Sequence, residues 1–305
     1  MKRVYGSLVL LLCLIAFVSL GLTALFGVNA PKKTDDVSVV ASFYPLYTAT
    51  LNVVGTCDGV TVSCLTAPQT GCLHDYQLSP AERAALGEAD VLIQNGGGME
   101  SFLEAALETL PELTVIDTSA EVDLLTCEEH EHGHDHSVNA HLWVEPTLYA
   151  EQVKRVRDGL CAADPVHAAE YTANAGTYLK KIAAVEQQLN EIALPFSHAL
   201  LFHESVTYAA RALRLETVGL IPLGEDEAAS AAELAEIADA LKGKAVLLLY
   251  DKQYTALYES LSGYAEKAAI VRWDSAVKPI SGVAAENAWL VAMQRNINAL
   301  KEAVA

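Results

Sequence analysis

Basic side chains are scarce in this sequence: 20 lysines and arginines stand against 39 aspartates and glutamates, for a formal charge of -19 over 305 residues. Such a chain repels nucleic acid phosphates and anionic lipid, so neither is an expected partner, whereas it concentrates cations near its surface. Cysteine is sparse, with six residues and no close C-x-x-C pair, which argues against a cysteine-held zinc knuckle. No Gly-rich phosphate loop is present: Asn95-Gly96-Gly97-Gly98 follows an apolar run but lacks the required spacing. One catalytic signature is approached and missed. His203-Glu204-Ser205-Val206-Thr207 begins like the zinc-protease motif H-E-x-x-H, but Thr207 stands where the second histidine is needed. Apolar residues are not lacking, at 52%, which excludes a disordered or collagen-like chain.

The N-terminus carries Lys2 and Arg3 and then no charged side chain from Val4 to Pro31. Val28-Asn29-Ala30 resembles a small-residue cleavage site, so residues 1–30 read as a signal peptide or, given their length, an N-terminal anchor. Cys13 lacks the small residues expected before a lipidated cysteine. The remainder is expected outside the cytoplasm, in a periplasm or on the outer face of the cytoplasmic membrane. There Cys57, Cys64, Cys72, Cys127 and Cys161 meet disulfide-permissive conditions. Cys161, after a helical stretch, is most simply a buried free thiol. The other four allow two bridges in three connectivities.

Apolar runs then alternate with helical stretches. Strands are expected at Val37–Tyr44, Val60–Leu65, Asp90–Gln94 and Thr114–Asp117. Helices are expected from Pro45 to about Val54, after Ser79-Pro80-Ala81-Glu82, whose serine and glutamate form a capping box, and over Glu100–Thr109. After the helix Pro146–Leu160, the stretch from Pro165 to Ala193 places Tyr171, Tyr178, Ile182, Val185 and Leu189 at helical spacing and reads as a spine. The alternation resumes with strands at Ala199–Phe202, Glu216–Ile221, Ala245–Tyr250 and Ala269–Trp273. Helices are expected at Glu204–Leu213, Ala228–Leu241, Tyr254–Ala265 and Ala285–Ala303. The pattern is α/β, with two parallel-sheet lobes (31–164 and 195–305) joined by one long bridging helix (165–194).

Five of the nine histidines crowd the segment from Glu128 to Pro146: His130, His132, His134, His136 and His141. Imidazoles interleaved with Glu128, Glu129, Glu131 and Asp135 suit a divalent cation such as zinc, although such a tract can also be a solvated loop. Rigid ligands are better sought at the carboxyl ends of strands, where open α/β sheets bind. His203 follows the strand ending at Phe202, and Asp274 follows Trp273. His74 lies in the loop after the second strand and His141 just before the helix opened by Pro146. Two from each lobe, they would meet in an inter-lobe cleft as a closed three-His-plus-Asp site, for which zinc is the natural occupant. Such a site has no vacancy for a reacting water, which favours a binder over an enzyme. Asp274 could instead cap a turn, and Asp251 competes for its place. Glu204 would point away if His203 points inward, and His167 and His198 read as structural or exposed.

These motifs resemble the metal-binding, substrate-binding proteins of ABC transporters for zinc and manganese. The likeness runs from Ser42-Phe43-Tyr44-Pro45 to the C-terminal helix. GCLHDYQLSP around His74, QNGGGMESFLE, the histidine tract, HLWVEP at His141, FHESVTYAA at His203 and RWDSAV at Asp274 are similar to the family's successive segments. The resemblance implies His74, His141, His203 and Asp274 as metal ligands, and a membrane permease as partner. It implies the tract His130, His132, His134 and His136 as an accessory collector. Histidine at the third position is zinc-like, whereas glutamate there goes with manganese. Asp-Pro usually precedes both histidines of the first lobe. Here Cys72-Leu73 and Asn139-Ala140 stand instead, and bridges from Cys64, Cys72 or Cys127 would compensate. The expectation is an exported, monomeric zinc-capturing protein that is not an enzyme. Manganese or iron capture, a secreted zinc hydrolase and an adhesin are the alternatives.

Overall fold

The computed structural model describes residues 36–66, 73, 76–126, 138–221, 230–250 and 261–305. The leader, His74, Cys72, Cys127, the tract His130–His136, Asp251 and most of the helix expected from Tyr254 lie outside them.

The first sheet contains β1 (Val37–Ala41), β2 (Val60–Cys64), β3 (Val91–Gln94) and β4 (Thr114–Asp117), all parallel in the order β2-β1-β3-β4. Continuous apolar runs such as Val39-Val40-Ala41 suit strands covered on both faces. Between β1 and β2, α1 (Tyr44–Val54) opens with Pro45 in its first turn, where a missing N–H costs nothing. Ahead of β3, α2 (Pro80–Gly87) starts with the anticipated capping box: Ser79 accepts from the Glu82 N–H, and Glu82 accepts from the Ser79 N–H at 2.7 Å. The helix expected over Glu100–Thr109 is shorter, a 3-10 turn (Ser101–Leu103) running into α3 (Glu104–Leu107). α4 (Pro146–Ala163) closes the lobe.

A 3-10 turn (Pro165–His167) leads into α5 (Ala168–Asn190), whose 23 residues span about 34 Å at ~1.5 Å per residue. All five residues that defined its apolar stripe are buried, with Ala175 beside them. The second sheet repeats the first in topology: β5 (His198–Leu201), β6 (Glu216–Leu220), β7 (Ala245–Tyr250) and β8 (Lys267–Arg272) lie parallel in the order β6-β5-β7-β8. α6 (Thr207–Ala212) and α7 (Ala231–Leu241) belong to this lobe. The last helix, α8 (Ala288–Val304), reaches back to the first lobe. Trp289 stacks on Tyr149 of α4 with ring centroids 4.3 Å apart, and Thr48 and Asn52 of α1 donate to the carbonyls of Ala285 and Glu286.

One apolar cluster therefore contains Val39, Ala41 and Ile93 of the first sheet, Tyr171 and Ile182 of α5, and Leu201, Leu247 and Leu249 of the second. The lobes share a core rather than merely a linker, so a swing of one against the other would break buried contacts.

The cysteines depart from expectation. Cys57, Cys64 and Cys161 are free thiols, so the two-bridge arrangement is not formed and Cys64 cannot brace the loop before His74. Cys161 is half-buried, its thiol 3.5 Å from the Ala168 carbonyl. Burial pushes the Cys64 thiol up to about 12, which keeps it protonated and a poor metal donor at neutral pH.

Candidate metal centre

His203 stands two residues beyond β5, a central strand of the second sheet, at the carboxyl edge where the chain leaves for opposite sides. The helix expected from Glu204 begins as a 3-10 turn (Glu204–Val206), and His203 caps it: the Ser205 N–H donates to His203 Nδ1 at 3.0 Å. An Nδ1 that accepts carries no proton, so the neutral ring holds its proton on Nε2.

His141 is 4% exposed and sits in front of the 3-10 turn Leu142–Val144 that leads into α4. It is held by Asn139. Asn139 Oδ1 accepts the His141 main-chain N–H at 3.0 Å and lies 2.9 Å from His141 Nδ1. Ahead of this segment Thr126 and Val138 form an antiparallel bridge, and the Asn139 N–H donates to the Leu125 carbonyl at 2.7 Å.

Below His141 runs a buried polar network. Asn95 donates through Nδ2 to the Ala140 carbonyl at 2.8 Å, and accepts at Oδ1 from Gln152 Nε2 at 2.8 Å. Glu100, the acidic end of Asn95-Gly96-Gly97-Gly98-Met99-Glu100, folds back to accept from the Asn95 N–H (2.7 Å), the Gly96 N–H (3.1 Å) and the Ser42 hydroxyl (2.6 Å). Burial pushes the Glu100 carboxyl up to about 7 even though these three donors pull the other way. Gly96 must be glycine: its φ is +80°, and a Cβ would lie 2.0 Å from Asp117 Oδ1. The triple-glycine stretch is thus a bend that seats the His141 segment, not a phosphate cradle.

The structure brings His141 and His203 together across the lobes, with ring centroids 5.8 Å apart and planes at 85°. Glu204 corrects an expectation. It does not point away; its Oε1 lies 3.9 Å from His141 Nδ1, because the 3-10 turn replaces strand alternation after Phe202. Asp274 has the turn-capping role weighed against its ligand role: Oδ1 accepts from the Ala276 N–H at 3.0 Å, where Ala276 takes a φ of +58°. Its Oδ2 is 3.4 Å from Arg295. Among the described residues no group of three His, Cys, Asp or Glu side chains is placed to hold a metal. His167 and His198 are engaged elsewhere, His167 with Asp164 at 2.6 Å and His198 with Ser197 at 2.7 Å.

Sequence reasoning passed over the residues that bind this region together. Trp143 donates its indole N–H to the Ser275 carbonyl at 2.8 Å, beside Asp274, and accepts at its own carbonyl from the Trp289 indole at 2.8 Å. Glu145 accepts from Arg211 Nε at 2.8 Å and pairs with its Nη2 at 2.6 Å, while the Arg211 guanidinium lies 4.8 Å over the Tyr208 ring. The Tyr208 hydroxyl donates to the Asn139 carbonyl at 2.8 Å and accepts from the Leu125 N–H at 3.0 Å. Segment 139–145 is therefore a strap from the first lobe bonded to both loops of the second lobe that carry candidate ligands. The tryptophan in HLWVEP was the available signal, since a lone indole in a polar motif usually finds a buried acceptor.

Comparison with known proteins covers nearly the whole chain. The family model described as ZnuA, zinc-uptake complex component A, periplasmic, matches residues 39–303. The chain is 27% identical over 309 residues to the zinc-binding lipoprotein AdcA of Streptococcus pneumoniae, covering 94% of this chain and 60% of that protein. It thus spans about three-fifths of the length of that relative. It is 26% identical over 246 residues to the manganese-binding lipoprotein MntA of Halalkalibacterium halodurans, covering 79% and 78% of the two chains. Among solved structures, a crystal structure of ZnuA superimposes with a TM-score of 0.68 at 23% identity, over 89% of this chain and all of that one, a likeness of fold.

Proposed function

The chain belongs to the ZnuA family of zinc-uptake components, and from that premise we propose that it captures zinc outside the cytoplasm for an ABC-type membrane importer, catalysing nothing itself. The observation that carries the reading is the meeting of two imidazoles from different lobes, His141 and His203, 5.8 Å apart between ring centroids. Imidazole nitrogen suits zinc, and a zinc held by protein ligands alone has no open position for hydrolysis. His74 and Asp274 complete the proposed donor set, three neutral imidazoles and one carboxylate. His130, His132, His134 and His136 serve as an accessory collector that raises the local zinc concentration. The basic and apolar N-terminal segment directs export, as a cleaved leader or a retained anchor, and the captured ion passes to a membrane permease from a monomer.

A specific observation favours a second reading, manganese. The manganese-binding lipoprotein MntA matches 79% of this chain, and within such a family a site with more carboxylate favours the harder ion. Elemental analysis of the purified protein, followed by competition titration of zinc against manganese, tests both. Zinc is expected to outcompete manganese, and His203→Ala or His141→Ala to abolish tight zinc binding. Tight zinc binding that survives both substitutions overturns the assignment. Manganese that outcompetes zinc in the wild type points instead to a site built for manganese.

A further inference from the structure

Asn139 faces three groups whose hydrogen-bonding roles are fixed by their chemistry. The His141 main-chain N–H can only donate, so the Asn139 atom 3.0 Å from it is the amide oxygen. The Glu204 carbonyl can only accept, so the atom 2.9 Å from it is the amide nitrogen. Both ends of the amide are therefore assigned without appeal to the histidine. The same oxygen lies 2.9 Å from His141 Nδ1 and can only accept there, so Nδ1 carries the proton and Nε2 keeps a lone pair. Meanwhile the amide nitrogen reaches the second lobe one residue beyond His203, and the Asn139 carbonyl is held by Tyr208 of α6.

From this geometry we infer that Asn139 is a positioning residue that sets His141 in the tautomer whose Nε2 can take a metal and ties it to the loop of His203. This rests on the reading of the site as a zinc centre, and it depends on asparagine. An aspartate could still accept from His141 but would set an oxygen against the Glu204 carbonyl. Alanine would do neither.

The test uses the full chain with ¹⁵N-labelled histidine, free of metal and at a pH above the imidazole range. The His141 signals in a long-range ¹H–¹⁵N spectrum are assigned by their loss in His141→Ala. The wild type is expected to show the Nδ1–H form, Asn139→Asp to retain it, and Asn139→Ala to shift toward the Nε2–H form that a free histidine side chain favours. Glu204→Gln should leave the tautomer unmoved, since 3.9 Å is too long for a hydrogen bond. Zinc affinity by chelator competition should fall by about 10–100-fold in Asn139→Ala and by less in Asn139→Asp. A wild type in the Nε2–H form, or an Asn139→Ala ring that does not shift, overturns the inference. So does a shifted ring with unchanged zinc affinity where His141→Ala loses zinc. Should Asn139→Ala fail to fold, an Asn139→Asp ring in the Nε2–H form is equally fatal. Zinc binding that survives His141→Ala defeats the metal reading instead, and the metal-free spectra still decide whether Asn139 sets the ring.

Discussion

Trp143→Phe removes an indole N–H that joins the two lobes while keeping an aromatic ring in the core. The side chain is 2% exposed, its N–H donates to the Ser275 carbonyl at 2.8 Å, and its ring meets Phe43 edge-on with centroids 4.7 Å apart. Leaving a buried carbonyl unpaired costs about 1–3 kcal/mol, and the smaller ring leaves a partial void worth about 1 kcal/mol more. The expected loss is about 3 kcal/mol, or a fall in Tm of about 6–12 °C at ~2–4 °C per kcal/mol for a chain of this size. The assay is thermal unfolding followed by circular dichroism without metal, with Val115→Ala as the control. Val115 is 40% exposed, and its truncation should cost no more than about 0.5 kcal/mol. A fall in Tm below about 3 °C for Trp143→Phe would refute the idea that the strap from Asn139 to Glu145 holds the lobes together.

Glu100 should make stability depend on pH. Its folded-state pKa is raised from 4.5 to about 7, so its contribution is fully present below the unfolded value and is lost as pH rises through about 7. The loss is about 3 kcal/mol, because each tenfold gain in proton affinity on folding is worth ~1.4 kcal/mol. Glu100→Gln lacks this slope, so urea unfolding should show wild type losing ground to the variant between about pH 4.5 and 8; a constant difference would count against the burial argument. Gly96→Ala should destabilise by about 3 kcal/mol or more, since its Cβ would collide with Asp117 at a φ that favours glycine. An unchanged denaturation midpoint would show that the bend relaxes freely.

The sequence exposed whatever follows a local period or a local chemical rule. Every described strand lies within three residues of its apolar run, the largest miss being the first, which ends at Ala41 rather than Tyr44, and the Ser79–Glu82 capping box is formed, because these depend on neighbours in the chain. The stripe of α5 was legible for the same reason. Helix starts after strands were less so: Glu100 and Glu204 open 3-10 turns, where a buried carboxylate or a histidine cap overrides the helical pattern. That local twist is what turned Glu204 toward His141. Long-range hydrogen bonding was not legible. Nothing in the spacing of Asn139, Trp143 and Glu145 tells which carbonyl or guanidinium each will meet 65 to 132 residues away. The same limit hid the free state of Cys57 and Cys64, since pairing depends on where the partner thiol lies.

In the zinc site proposed above, the two histidines would not be equally prepared for a metal, and the difference follows from their caps. His141 already has its proton on Nδ1, directed at Asn139. His203 accepts at Nδ1 from Ser205, so ligation through Nε2 moves its proton to Nδ1 and gives up that hydrogen bond. Exchanging one backbone cap costs about 1 kcal/mol, small beside the roughly 10–16 kcal/mol that structural zinc contributes in zinc-finger peptides at neutral pH. A cap of that strength would therefore not block capture at the proposed site. In the proposed site it would hold the ring until the ion arrives, and the turn Glu204–Val206, which carries the Ser205 donor, would be the part that adjusts. With the lobes joined through one core, the strap and the contacts of the segment 285–289, a swing of either sheet would break more buried contacts than a local adjustment at that turn.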